Sequence, residues 1–85
     1  MEVRIGKVNH YYNLISVAVL ELSGELQIGD KILILGRTTE LTQVVTSMEI
    51  EHRKMQMVGP GMDVALKVAE PVRKGDVVYK VVESD

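Results

Sequence analysis

The sequence predicts an all-β fold: a small closed antiparallel β-barrel of six to seven strands. Three observations point there. Apolar residues recur at every second position far more often than at helical spacing. Glycine-bearing turns interrupt the chain at short intervals. And the pair Gly-Asp stands directly before an apolar run twice, in IGDKILILG at 28–36 and in KGDVVYKV at 74–81. Glycine reaches positive φ without a steric penalty, and aspartate bonds back to nearby amides. The Val, Ile, Leu and Tyr that follow each pair suit strands. Each phrase therefore reads as a tight turn feeding a strand. Closing the sheet into a barrel would also remove the unpaired edges that invite aggregation.

The strands are expected over 3–11, 14–22, 31–36, 42–51, 54–58, 63–69 and 77–82. In the first, Val3 and Ile5 share a parity that Val8 breaks, and a bulge at Gly6 would account for the change. Asn13 separates it from 14–22, and Ser23-Gly24 and Gly29-Asp30 precede 31–36. Both 14–22 and 31–36 are apolar on two faces, so either the protein's own turns or a partner must cover the outer side. Over 42–51, Val44, Thr46, Met48 and Ile50 share the inner face. Gln43, Val45, Ser47, Glu49 and Glu51 are expected to face water. Gly59-Pro60-Gly61 turns the chain into 63–69, where Val64, Leu66 and Val68 alternate with Asp63, Ala65 and Lys67. Pro71 and Gly75-Asp76 precede the last strand, and the tail 83–85 is expected to fray.

Length bounds the chain to a single domain over 1–85. A chain so short buries a limited share of its surface. Its 14 Val, 6 Ile and 8 Leu supply an aliphatic core without Phe, Trp or Cys. Each such side chain contributes about 1.5–3 kcal/mol when fully buried. With no cysteine there is neither a disulfide nor a thiolate metal site, which suits a cytoplasmic setting. The start MEVRIGKV lacks a signal-peptide layout, and the longest apolar stretch, LISVAVLEL, is too short to cross a bilayer. A net charge of −2 argues against a general nucleic-acid coat, though not against a local basic face.

Catalytic machinery is not assembled by spacing. No G-x-x-x-x-G-K-[ST] loop is present, so no nucleoside triphosphate is expected, and Pro60 removes a donor from the Gly59–Gly61 turn. His10 and His52 stand far apart with no cysteine to complete a metal site. Ser16, Ser23, Ser47 and Ser84 lack a nucleophile elbow. No enzyme activity, cofactor or metal is expected. The most suggestive polar run is EIEHRK at 49–54, with Arg73 and Lys74 as a second basic pair. Were Arg53, Lys54, Lys67 and Lys80 to converge, they would form a modest phosphate-facing patch. A solvated charge run is the plainer reading of the same residues.

Four phrases taken in order, GELQIGDKILILG, TQVVTSMEIEHRK, GPGMDVALKV and VRKGDVVYKV, resemble the second domain of translational GTPases such as elongation factor Tu. The resemblance spans about residues 3–82 and rests on the Gly24 and Gly29 turn, the V-x-S-M-E-I strand, the turn at Gly61 and the closing Arg73-x-Gly75. The chain also resembles small elongation factor-like proteins and the barrel at the C-terminus of collagenase-like peptidases. The first resemblance implies a non-catalytic module that binds tRNA, rRNA or the translation apparatus. The GTPase domain of those factors has no counterpart here. Glu49 falls where elongation factor Tu contacts the terminal adenosine of tRNA. Glu51 and Asp63 replace an aromatic residue and an asparagine there, so aminoacyl-tRNA binding in the manner of elongation factor Tu is not expected, and a looser contact with RNA or a protein partner stays open. Under this reading Arg53, Lys54, Lys67, Arg73 and Lys74 would meet the backbone, with Glu49 and His52 on a base or ribose. The alternative is a protein-interaction module that docks onto a larger enzyme of the collagenase-like peptidase kind.

Overall fold

A computed structural model of the chain describes residues 1–83. Ser84 and Asp85, the end of the tail expected to fray, lie outside the described residues. Ten strands follow one another: β1 (Glu2–Tyr12), β2 (Val17–Leu22), β3 (Leu26–Gln27), β4 (Lys31–Leu35), β5 (Glu40–Val44), β6 (Glu49–Ile50), β7 (Arg53–Lys54), β8 (Met57–Val58), β9 (Asp63–Lys67) and β10 (Val77–Val81). All pairings among them are antiparallel. Eight strands form one sheet in the order β5-β4-β10-β1-β2-β9-β6-β7, and β3 pairs with β8 beside it.

The all-β expectation is met, but the ladder of backbone pairing does not run full circle. Its ends, among the described residues, are β5 and β7. Near the seam a side chain takes over from the ladder. Gln43 of β5 donates from Nε2 to the carbonyl of Lys67 at 2.8 Å and accepts the Ala69 amide on Oε1 at 2.7 Å. One amide group thus supplies the donor and acceptor that a neighbouring strand would offer.

The two Gly-Asp phrases build one device twice. In the first, Gly29 has φ +96°. The Asp30 amide donates to the Gln27 carbonyl at 3.1 Å, and the Gln27 amide donates back to Asp30 Oδ2 at 2.9 Å. In the second, Gly75 has φ +94°. The Asp76 amide donates to Arg73 O at 3.0 Å, and the Arg73 amide to Asp76 Oδ2 at 2.8 Å. Each turn then brackets the backbone of a buried valine on another segment. Gly29 N–H donates to Val45 O at 2.9 Å while Val45 N–H donates to Asp30 O at 2.8 Å. Gly75 N–H donates to Val8 O at 2.8 Å while Val8 N–H donates to Asp76 O at 2.8 Å.

These brackets set register. A shift between Arg4 and Gly6 in the pairing of β1 with β10 confirms the expected irregularity at Gly6. A Cβ there would collide with the Glu21 carbonyl. A second shift, between Val8 and His10, lies beside the Val8 bracket and was not expected. The segment 42–51 is corrected. Pairing stops at Val44, and the Gly29-Asp30 bracket turns Val45 inward, where it is 1% exposed, while Val44 is 50% exposed. The segment 14–22 is shortened too. Residues 13–16 form the β1–β2 turn, with Ser16 at φ +55° and Leu14 95% exposed.

Inside lies a core led by Ile5, Val8, Leu20, Leu26, Ile32, Ile34, Val45, Met48, Val64 and Val78. Asp76 is buried at its margin, against Gly36, where any Cβ would strike its carboxylate.

Two outcomes follow. Asp76→Ala strips the Arg73 amide of its acceptor in a buried setting and lowers unfolding free energy by about 1–3 kcal/mol, more than Asp30→Ala in its half-buried turn. Gln43→Ala removes two seam bonds and lowers it by about 1–2 kcal/mol. Urea denaturation midpoints at unchanged m-value read both.

Candidate docking groove

Antiparallel register places opposite residues on one face of the sheet. Across the outer face this aligns His10 of β1, Val19 of β2, Ala65 of β9, Glu49 of β6 and Lys54 of β7 in one row. The next row runs Tyr12, Val17, Lys67. Val17, Val19 and Ala65 are half-buried, with no further layer above them among the described residues.

These rows floor an open groove of about 510 Å³. Val17, Val19 and Ala65 form its base, and Tyr12 and Ile15 one wall. Tyr12 and Ile15 are 50% and 58% exposed. The Tyr12 ring meets the His10 ring edge-on, with centroids 4.3 Å apart and an interplanar angle of 64°. That contact steadies the wall. Glu49, Glu51 and His52 form the opposite wall. Neither glutamate takes part in an ion pair among the described residues, where Lys7 meets Glu21 at 3.9 Å and Lys80 meets Asp30 at 3.8 Å.

The acidic wall is carried by a two-residue hairpin. Ile50 pairs with Arg53, leaving Glu51 at φ +51° and His52 at φ +65° as the turn. Positive φ at both central positions is the type I′ geometry, which Asn-Gly fills without strain. A glutamate there is held against its own backbone preference by about 1–2 kcal/mol.

Of the seven residues expected to meet RNA, Glu49, His52, Arg53 and Lys54 share the β6–β7 hairpin, where Glu49 pairs with Lys54, while Lys67, Arg73 and Lys74 lie on other segments. Glu49 and His52 share the groove, but the basic residues do not line it. Arg53 and Lys54 occupy β7, at the end of the sheet. Lys67 borders a separate depression with Gln43, Val44 and Thr46, and Arg73 another with Tyr11, Thr39 and Glu70. Lys74 is exposed in the turn before β10. Lys80 is engaged elsewhere, donating to the Glu25 carbonyl at 2.9 Å. Among the described residues no group of three His, Asp or Glu side chains could hold a metal ion, and no helix is long and apolar enough to cross a membrane.

Tyr12, Ile15, Val17, Val19, Glu51 and Ala65 were not among the expected site residues. For Ile15, Val17 and Val19 the signal was the two-faced apolar character of 14–22, and Glu51 stood in the polar run 49–54. Converting these into a groove required the pairing of Val19 with Ala65, which the sequence does not display.

Replacing the hairpin tip by Glu51→Asn with His52→Gly raises unfolding free energy by about 1–2 kcal/mol, read as a higher melting temperature. An unchanged or lower value would mean that tertiary contacts, rather than backbone strain, decide this turn.

No protein-family model matches the chain. Among curated proteins it is 42% identical over 84 residues to an uncharacterized protease of Methanocaldococcus jannaschii, covering 98% of this chain and 21% of that protein. It is 35% identical over 81 residues to a collagenase of Porphyromonas gingivalis, covering 93% of this chain and 20% of that one. The chain thus spans about a fifth of the length of these relatives. The crystal structure of the C-terminal domain of a Geobacillus thermoleovorans protein assigned as a U32 peptidase superposes with a TM-score of 0.86 at 21% identity, covering 92% of this chain and 91% of that one. Its selenomethionine variant gives 0.85 at 20%, covering 89% and 96%. These findings overturn the leading expectation of a translation factor-like module binding tRNA, rRNA or the translation apparatus. The turn motifs that carried it reflect what the backbone needs at Gly29, Gly61 and Gly75, all at positive φ, and not a ligand. The chain shares the fold of the U32 peptidase C-terminal domain, and its sequence relatives are a protease and collagenases.

Proposed function

We propose that the chain is a non-catalytic β module that docks onto a larger protein of the peptidase kind its relatives represent. One observation carries this. Nearly the whole chain, 98% of it, matches only 21% of the M. jannaschii protease, at 42% identity. What stands here as 85 residues therefore corresponds to a minor part of a longer protein. An apolar outer face with no covering layer among the described residues supports docking in preference to isolation. That His10, His52 and the serines form no catalytic motif by their spacing in the sequence supports a role without chemistry of its own.

In this reading the sheet acts as a closed barrel, with Gln43 stitching β5 to the end of β9 in place of a ladder. Rigidity of that shell would hold the groove in one shape. A cytoplasmic setting is the one that the cysteine-free composition suits.

The test is a graft. This chain replaces the matching fifth of the M. jannaschii protease, and parent, graft and isolated chain are incubated with fluorescent gelatin and casein. The graft is expected to melt as one cooperative unit and to keep whatever turnover the parent shows, while the isolated chain cleaves neither substrate. Cleavage by the isolated chain that disappears in the Glu49→Gln and His52→Ala variants would replace the docking role with a catalytic one.

A further inference from the structure

We infer that the groove over β2 and β9 takes a protein segment in which an aliphatic side chain stands next to a lysine or arginine. This rests on the docking reading and names the chemistry of its partner.

The floor of Val17, Val19 and Ala65 and the walls of Tyr12 and Ile15 offer apolar surface to an aliphatic side chain. A volume of about 510 Å³ has room for a side chain with its neighbour. The charge lining the groove is of one sign. Glu49 and Glu51 contribute two carboxylates, and no lysine or arginine lines it among the described residues. Lys54 is the cross-strand partner of Glu49 and Lys67 that of Val17, so both stand on the same outer face at the margin of the groove, outside its lining. On the same face Glu21 and Asp63 continue the acidic border beyond Val19 and Ala65, and Glu21 is met by Lys7.

A cation beside the aliphatic anchor reaches Glu51 or Glu49 at one wall and the Tyr12 ring at the other, whose face attracts cations. An acidic segment would bury its own charge against two carboxylates, so the groove discriminates by repulsion as well as attraction. A nucleic-acid backbone meets the same repulsion.

The experiment is a titration of the isotope-labelled chain, followed by amide chemical shifts, with the capped tetrapeptides Ac-Ala-Leu-Lys-Ala-NH2, Ac-Ala-Leu-Glu-Ala-NH2 and Ac-Ala-Ser-Lys-Ala-NH2. The Leu-Lys peptide is expected to shift Tyr12, Val17, Val19, Ala65 and residues 49–52. The Leu-Glu and Ser-Lys peptides bind about tenfold more weakly, the equivalent of about 1.4 kcal/mol. Glu51→Gln and Glu49→Gln, both exposed and harmless to folding, narrow the Lys-over-Glu preference at least fivefold, and added salt does the same. Equal response to Leu-Lys and Leu-Glu, shifts centred elsewhere, or no shift at millimolar peptide would overturn the inference. So would shifts of the groove residues that follow the protein's own concentration, which would give the face to a second copy of this chain. A graft that works while its groove ignores all three peptides overturns the inference and leaves the docking reading standing. A selective groove in a graft that fails does the reverse.

Discussion

The fold depends on a short-range reciprocity repeated at two places. A glycine at positive φ lets an aspartate turn back, and the carboxylate accepts the amide three residues earlier. The same two residues then grip a valine backbone on a distant segment through one donor and one acceptor. A turn that satisfies itself and its neighbour at once leaves few polar groups unpaired. Among the described residues, no buried side-chain nitrogen or oxygen lacks a partner. In a chain of 85 residues with an aliphatic core and no disulfide, that economy matters, since an unpaired buried polar group costs about 1–3 kcal/mol.

The brackets also decide what the outer surface presents. Holding Val45 and Val8 inward turns Val44 out and shifts register between Val8 and His10. That shift places His10, and not Asn9, opposite Val19, which sets the row from His10 through Val19 and Ala65 to Glu49. The groove is thus a consequence of how the core is fastened. Its strained hairpin tip is tolerated because β6 is joined both to β7 and to β9.

Much of this was legible in the residues. Alternation and glycine punctuation marked an antiparallel β fold, and Gly6 marked a bulge, because these are local demands of the backbone. The bracket on Val45 was not legible. Alternation through Val44, Thr46 and Met48 looked continuous, and only a contact with a turn some fifteen residues earlier interrupts it. Leu14 and Ile15 read as strand because they are apolar, yet they sit in a loop where nothing buries them. Glu49 and His52 were singled out from their polar run as RNA contacts, and both line the groove. Their neighbours Val19 and Ala65 stayed hidden because register joins them. The resemblance to translation factors followed the turns faithfully and misled about function, since a turn motif reports the backbone conformation it permits and is silent on what the outer face holds.

Amide hydrogen exchange in the native state tests the bracketed turns most directly. Gln27 and Arg73 are exposed residues at the surface, and their amides would ordinarily exchange fast. If the Asp30 and Asp76 carboxylates hold them as described, both amides are protected together with those of Val45 and Val8, and Arg73 approaches the protection of the central strands. Exchange of Gln27 and Arg73 at the rate of free turn amides, with Val45 and Val8 unprotected, would contradict the account.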